Sequence, residues 1–186
     1  MHFTLSDLVI DITQNAAESG ASLVELEVRE TDKEFRFILK DNGRGMNKHE
    51  LARAIDPFAN DGQKHPHRKV GLGIPFLIQT ALQSGGGYDL HSEKNTGTTV
   101  TAWFDLTLID TPPVGDISGM FRTVILFAGP EEIHIRRSLC TGKGEKSYKT
   151  SKLELREVLG DLEDAASLVL LDRYLKSMEE NEEGEE

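Results

Sequence analysis

A chain of 186 residues, 38% hydrophobic and 28% charged, has room for one good-sized domain plus an extension and is too apolar to be disordered throughout. Its net charge of -11 disfavours a nucleic-acid partner, because an acidic surface repels phosphates instead of displacing their counterions. Cys140 is the single cysteine, which excludes an internal disulfide or a cysteine-rich zinc site and points to the reducing cytoplasm. The opening "MHFTLSDLV" lacks the basic segment and apolar core of a signal peptide, and no apolar run reaches the roughly 20 residues of a membrane helix. Neither secretion nor a membrane partner is expected.

In chain order, Leu5, Leu8, Val9, Ile12 and Ala16 follow helical spacing and predict a first helix over about 6–19, stopped by Gly20. Val24, Leu26 and Val28 alternate with charged residues and predict a strand; Phe35, Phe37 and Leu39 repeat the pattern, with "TDKE" as the hairpin between them. Asn47 and Glu50 form a capping box for a short helix to about Ile55. The polar stretch 58–73 reads as loop. Ile74, Leu77, Ile78, Ala81 and Leu82 mark a further helix, with Pro75 in its first turn and the triplet Gly85–Gly87 after it. "YDLHS" and "TTVTAWFDL" predict two more strands.

The stretch 110–119 reads as a boundary. Beyond it "FRTVILFAG" and "EEIHIRRSL" predict a strand pair joined at Gly129-Pro130, "TGKGEKSYKTS" a loop, and the pair Ser151 and Glu154 the start of a long amphipathic helix. The chain thus divides into residues 1–108, an extension over 109–178, and the acidic end 179–186, whose glutamates read as a solvated, disordered tail.

Four stretches carry chemistry. Asp11 and Asn15, four apart on the first helix, project from one face at the rim of its apolar stripe, where polar groups need partners. Asp41 continues the register of Phe35, Phe37 and Leu39, so its carboxylate points inward, where it needs a donor; an adenine amino group is a suitable one. "NG" after a strand is also a hairpin signal, but a helix cap follows it and no second strand does. Gly43 and Gly45 allow a flat ligand to approach bare backbone. Gly71 and Gly73 stand at a helix start, where backbone amides attract phosphate oxygens, with Lys64, Arg68 and Lys69 adding charge. Gly97-Thr98 precedes the last strand of this half.

In order and spacing these motifs resemble the GHKL ATPases. That family, built on the Bergerat fold, includes sensor histidine kinases, anti-sigma-factor serine kinases, type II topoisomerases, mismatch-repair ATPases and a heat-shock chaperone. "DITQNAAES" is similar to the family's N box, "DNGRGM" to its first glycine box, "IDPF" to its phenylalanine box, and "GLGIPF" with the following helix, strand and Gly-Thr to the second half of the site. The likeness is nearest to the histidine-kinase catalytic domain and spans about Leu5 to Leu106. It implies an α+β fold: a two-layer α/β sandwich with a mixed sheet covered by helices on one face, followed here by a C-terminal β-β-α extension.

The resemblance implies ATP and Mg2+ as ligands. Asn15 would hold the magnesium, Asp41 would accept the adenine 6-amino hydrogen, and Gly43 and Gly45 would shape the base pocket. Gly71 and Gly73 would hinge a lid and meet the phosphates, Thr98 would support Asp41 or a water beside adenine, and Met46, Lys69 and Leu72 complete the nucleotide-binding set. Asp11 departs from the glutamate or asparagine usual there. It is either a general base, one methylene short, or part of the magnesium shell and helix face. Only ten residues precede it, so a phosphoacceptor helix pair is not expected and the acceptor belongs to another chain. His65 and His67 read as exposed loop residues. The extension packs against the domain or forms a dimer or partner interface. The expectation is a stand-alone protein kinase or anti-sigma-like regulator, with a nucleotide-dependent interaction module that turns nothing over as the rival.

Overall fold

The computed structural model describes residues 4–58, 73–142 and 144–180. The first helix, α1 (Leu5–Glu18), opens with a capping box in which Thr4 Oγ1 accepts from the Asp7 amide and the Asp7 carboxylate accepts from the Thr4 amide. Its buried residues, among them Leu5, Leu8, Val9, Ile12 and Ala16, are the stripe predicted from spacing. Strands β1 (Leu23–Thr31) and β2 (Glu34–Asp41) form the expected hairpin, and α2 (Lys48–Ile55) starts at the Asn47 and Glu50 box. Next come α3 (Gly73–Gln83), β3 (Gly87–Glu93) and β4 (Gly97–Asp105), as predicted.

Residues past 110 need correction. "FRTVILFAG" is not a strand but lies largely in α4 (Ile117–Ile125). Ile117, Met120, Phe121, Val124 and Ile125 recur at helical spacing and are all buried, and Asp116 caps the helix by accepting from the Gly119 amide. "TGKGEKSYKTS" is not a loop. Its second part is β6 (Gly144–Ser151), antiparallel to β5 (Glu132–Thr141). The single long helix is two, α5 (Lys152–Leu159) and α6 (Ala165–Glu179), broken at Gly160, whose φ of +83° suits glycine. The extension is therefore α-β-β-α-α rather than β-β-α.

All six strands form one sheet in the order β3-β4-β2-β1-β5-β6, antiparallel except where β5 runs parallel to β1. Val24, Leu26 and Val28, Phe35, Phe37 and Leu39, and Val100, Ala102 and Phe104 all point to one face, where α1, α3 and α4 bury them. On the opposite face stand charged and polar side chains, with Arg36 lying over the Trp103 ring at 5.0 Å. No helix among the described residues is long and apolar enough to cross a membrane.

Candidate functional site

Asp41 ends β2 on the covered face and is 7% exposed. Its Oδ1 accepts from the Gly43 amide at 2.9 Å and from the Ser19 hydroxyl at 3.2 Å. Burial pushes its carboxyl above the ordinary carboxylate value, opposed by the donors Gly43, Ser19 and the Thr98 amide. Cross-strand pairing sets Asp41 beside Thr98 on β4 and Thr98 beside Ser92 on β3, so the three form a polar row in an otherwise apolar layer. Asn42-Gly43 is no hairpin turn. The Asn42 side chain accepts from the Ser22 and Leu23 amides at 3.0 Å each and ties the end of β2 to the start of β1.

The glycines that follow stand where a side chain has no room. A Cβ on Gly43 would fall 1.8 Å from Ser19 Oγ. At Gly45, with φ of +56°, it would fall 1.9 Å from the Glu93 carbonyl oxygen. The 43–46 segment is thus pressed onto the end of α1 on one side and the β3–β4 turn on the other. The Arg44 amide donates to Ser19 O, the Asn95 amide to Arg44 O, and the Met46 amide to Ser92 Oγ. Gly97, with φ of +128°, lies as closely against the Asp41 carbonyl.

The other half of the site is built by α1 and the start of α3. Asp11 is half-buried and Asn15 exposed, one turn apart. Both face Gly73, where a Cβ would lie 2.3 Å from Asp11 Oδ2 and 3.3 Å from Asn15 Nδ2. The bare first residue of α3 therefore lets the acid and the amide reach the helix start, which carries partial positive charge. Of the predicted site residues, Asp11, Asn15 and Gly73 meet at one end, and Asp41, Gly43, Gly45, Met46 and Thr98 at the other. Lys69, Gly71 and Leu72 lie outside the described residues, as do Lys64, Arg68, His65 and His67. Phe58 of the phenylalanine box is exposed.

Ser19 and Ser92, hydrogen-bonded to Asp41 and Thr98, are neighbours of the candidate site that the sequence did not single out. Ser92 was recoverable in part, since the β3–β4 register sets it opposite Thr98; Ser19 had no comparable signal. A separate concavity of about 380 Å³ lies on the uncovered sheet face, near Lys40, His134, Arg136, Lys149 and Glu154. Its mixed charges converge on no single ligand chemistry.

Residues 3–108 match the family described as histidine kinase-, DNA gyrase B-, and HSP90-like ATPase. A relative among curated proteins is the tetrathionate sensor histidine kinase TtrS of Salmonella typhimurium, 28% identical over 106 residues. That match takes in 54% of this chain but only 17% of the relative's length. Among solved structures, the N-terminal domain of a DNA repair protein is 14% identical with a TM-score of 0.49, over 87% of this chain and 58% of the other. The Aquifex aeolicus MutL ATPase domain, complexed with ADP, is 16% identical with a TM-score of 0.43, over 85% of this chain and 69% of the other. More than half of the chain thus carries the family match, over the segment that holds Asp11, Asn15, Asp41 and Thr98: the protein belongs to the histidine kinase-, DNA gyrase B- and HSP90-like ATPase family, and its mixed sheet covered on one face is the GHKL, or Bergerat, fold.

Proposed function

We propose that this chain binds ATP between α1, the 41–46 segment and the start of α3, and transfers or hydrolyses the terminal phosphoryl group together with a partner protein. The observation that carries this reading is the buried Asp41 carboxylate, paired with Thr98 across the strands and bordered by two glycines that bare the backbone. A buried acid costs stability unless donors reach it, and the 6-amino group of adenine is a donor of the right kind. Asn15 and the start of α3, at the other end, suit the phosphates and their cation. No three His, Cys, Asp or Glu side chains cluster among the described residues. Magnesium takes one or two protein oxygens and completes its shell with phosphate and water. Asn15 is the residue that would hold it, and when bound it would neutralise charge on the transferred group.

Asp11 is the base we assign to turnover, since a carboxylate half-buried beside a helix start can accept a proton from a water or hydroxyl. In this reading residues 1–108 form the ATP-binding unit, and the acting form is a cytoplasmic stand-alone kinase or anti-sigma-like regulator. The partner, or a second copy, would meet the exposed Val158, Val169 and Leu170 of the extension. The second reading, a nucleotide-dependent module without turnover, draws on aspartate's shorter reach than glutamate's. Calorimetric titration with ADP and a non-hydrolysable ATP analogue, with and without magnesium, tests the binding. Tighter binding with magnesium is expected, and no heat at millimolar nucleotide refutes the site. Asp11→Asn is expected to bind as the parent does and to lose phosphate release at least about a hundredfold. A parent that binds but releases no phosphate, alone or with candidate partners, leaves the module.

A further inference from the structure

We propose that Ser92 is a positioning residue of the adenine site, which holds the Thr98 side chain in one rotamer beside Asp41, where its hydroxyl meets a bound base. The inference rests on the adenine reading of Asp41 and extends it to a side chain one strand further away. Ser92 is half-buried on β3, directly opposite Thr98, and its Oγ has three neighbours: the Met46 amide at 2.8 Å, Thr98 Oγ1 at 2.9 Å and the Gly97 carbonyl at 3.2 Å.

A serine hydroxyl has one proton and two lone pairs. The Met46 amide can only donate, so it takes one lone pair. The Gly97 carbonyl can only accept, so it competes with Thr98 for the one proton. When the proton goes to Gly97, Thr98 must donate to Ser92 and faces the pocket with lone pairs alone. When it goes to Thr98, the Thr98 proton is released toward the pocket. In both arrangements the Thr98 side chain is held in one rotamer, beside Asp41. The same oxygen anchors the 43–46 segment through Met46, so one hydroxyl joins the two walls of the base pocket. Removing it frees Thr98 to turn and leaves the Met46 amide without its acceptor.

The test compares the dissociation constants of ADP and purine riboside 5'-diphosphate, which lacks only the 6-amino group. The full-length parent, Ser92→Ala, Thr98→Val and the double variant are measured, each with a melting curve. Ser92→Ala is expected to weaken ADP about tenfold and the deamino analogue less than about twofold. Thr98→Val is expected to add less than about twofold in the Ser92→Ala background, because the two hydroxyls act as a unit. Ser92→Thr, which keeps the hydroxyl, should restore ADP binding, and Ser92→Cys, with a weaker hydrogen-bonding group, carries the comparison if the alanine variant unfolds. A parent that prefers ADP, with a folded Ser92 variant that keeps the full preference or loses both ligands equally, overturns the inference alone. A parent that binds neither, or both alike, overturns the adenine reading and this inference with it.

Discussion

Asp41 carries opposite obligations to the fold and to the ligand, and pH separates them. Burial raises its proton affinity in the native state, despite the Gly43, Ser19 and Thr98 donors. The folded protein therefore holds this proton more tightly than the unfolded chain does. Stability is highest with Asp41 protonated and falls as pH rises from the unfolded value, about 3.9, through the raised folded value. Ligand binding runs the other way, since only the ionised carboxylate accepts from an amino group with both oxygens. Asp41→Asn is expected to melt at or above the parent's temperature at neutral pH and to lose adenine-nucleotide affinity. Its advantage in melting should vanish near about pH 4, where the parent is itself protonated. Parent affinity for ADP should decline as pH drops through the raised value. Melting curves and titrations over about pH 4 to 8 check both, and a flat affinity across that range contradicts the assignment.

The start of α3 shows how one element holds a site by what it lacks. Gly73→Ala improves helix propensity by up to about 1 kcal/mol, yet its Cβ would stand 2.3 Å from Asp11 Oδ2 and 3.3 Å from Asn15 Nδ2. The short carboxylate has to swing away, and the amide has to give by a few tenths of an ångström. The variant is expected to melt no lower than the parent while the gain in ADP affinity on adding magnesium falls at least about fivefold; a full magnesium effect in Gly73→Ala means that Asn15 does not hold the ion. That α3 and α1 exist was legible from their spacing, and Asp41's inward aspect from the strand alternation before it. Thr98 was legible only through the family pattern, since Gly-Thr before a strand is by itself a turn. Ser19 and Ser92 act through contacts 22 and 46 residues away, which no local pattern encodes. The α4 segment was misread because Thr123, Val124 and Ile125 favour strands locally, whereas Ile117, Met120 and Phe121 fix the helical face. β6 was missed because only Tyr148 and Thr150 are buried along it, too few apolar positions for an alternation to register.

Across the whole molecule, the segment after residue 108 continues the sheet, with β5 hydrogen-bonded along the length of β1 and α4 packed on α1. One buried charge network locks that junction. Arg137 on β5, with its side chain 2% exposed, donates to Glu30 on β1 at 2.5 Å and to Glu179 at the end of α6 at 3.3 Å. Tyr148 on β6 donates its hydroxyl to the same Glu179 at 2.5 Å. Burial and the Glu179 carboxylate push the phenol well above its usual value, so it is a protonated donor at neutral pH. Taking away the guanidinium strands two half-buried carboxylates beside each other, which costs about 3 kcal/mol for a broken buried pair. Arg137→Met is accordingly expected to melt well below the parent, still in one calorimetric transition, because β1, β5, β6 and α6 share the network. A chain ending at residue 108 would leave bare the β1 edge that pairs with β5 and the part of α1 that packs on α4. It is expected to show no cooperative melt, and if it instead unfolds in a sharp transition at the parent's temperature, the ATP-binding unit is autonomous and the network serves only to attach the extension.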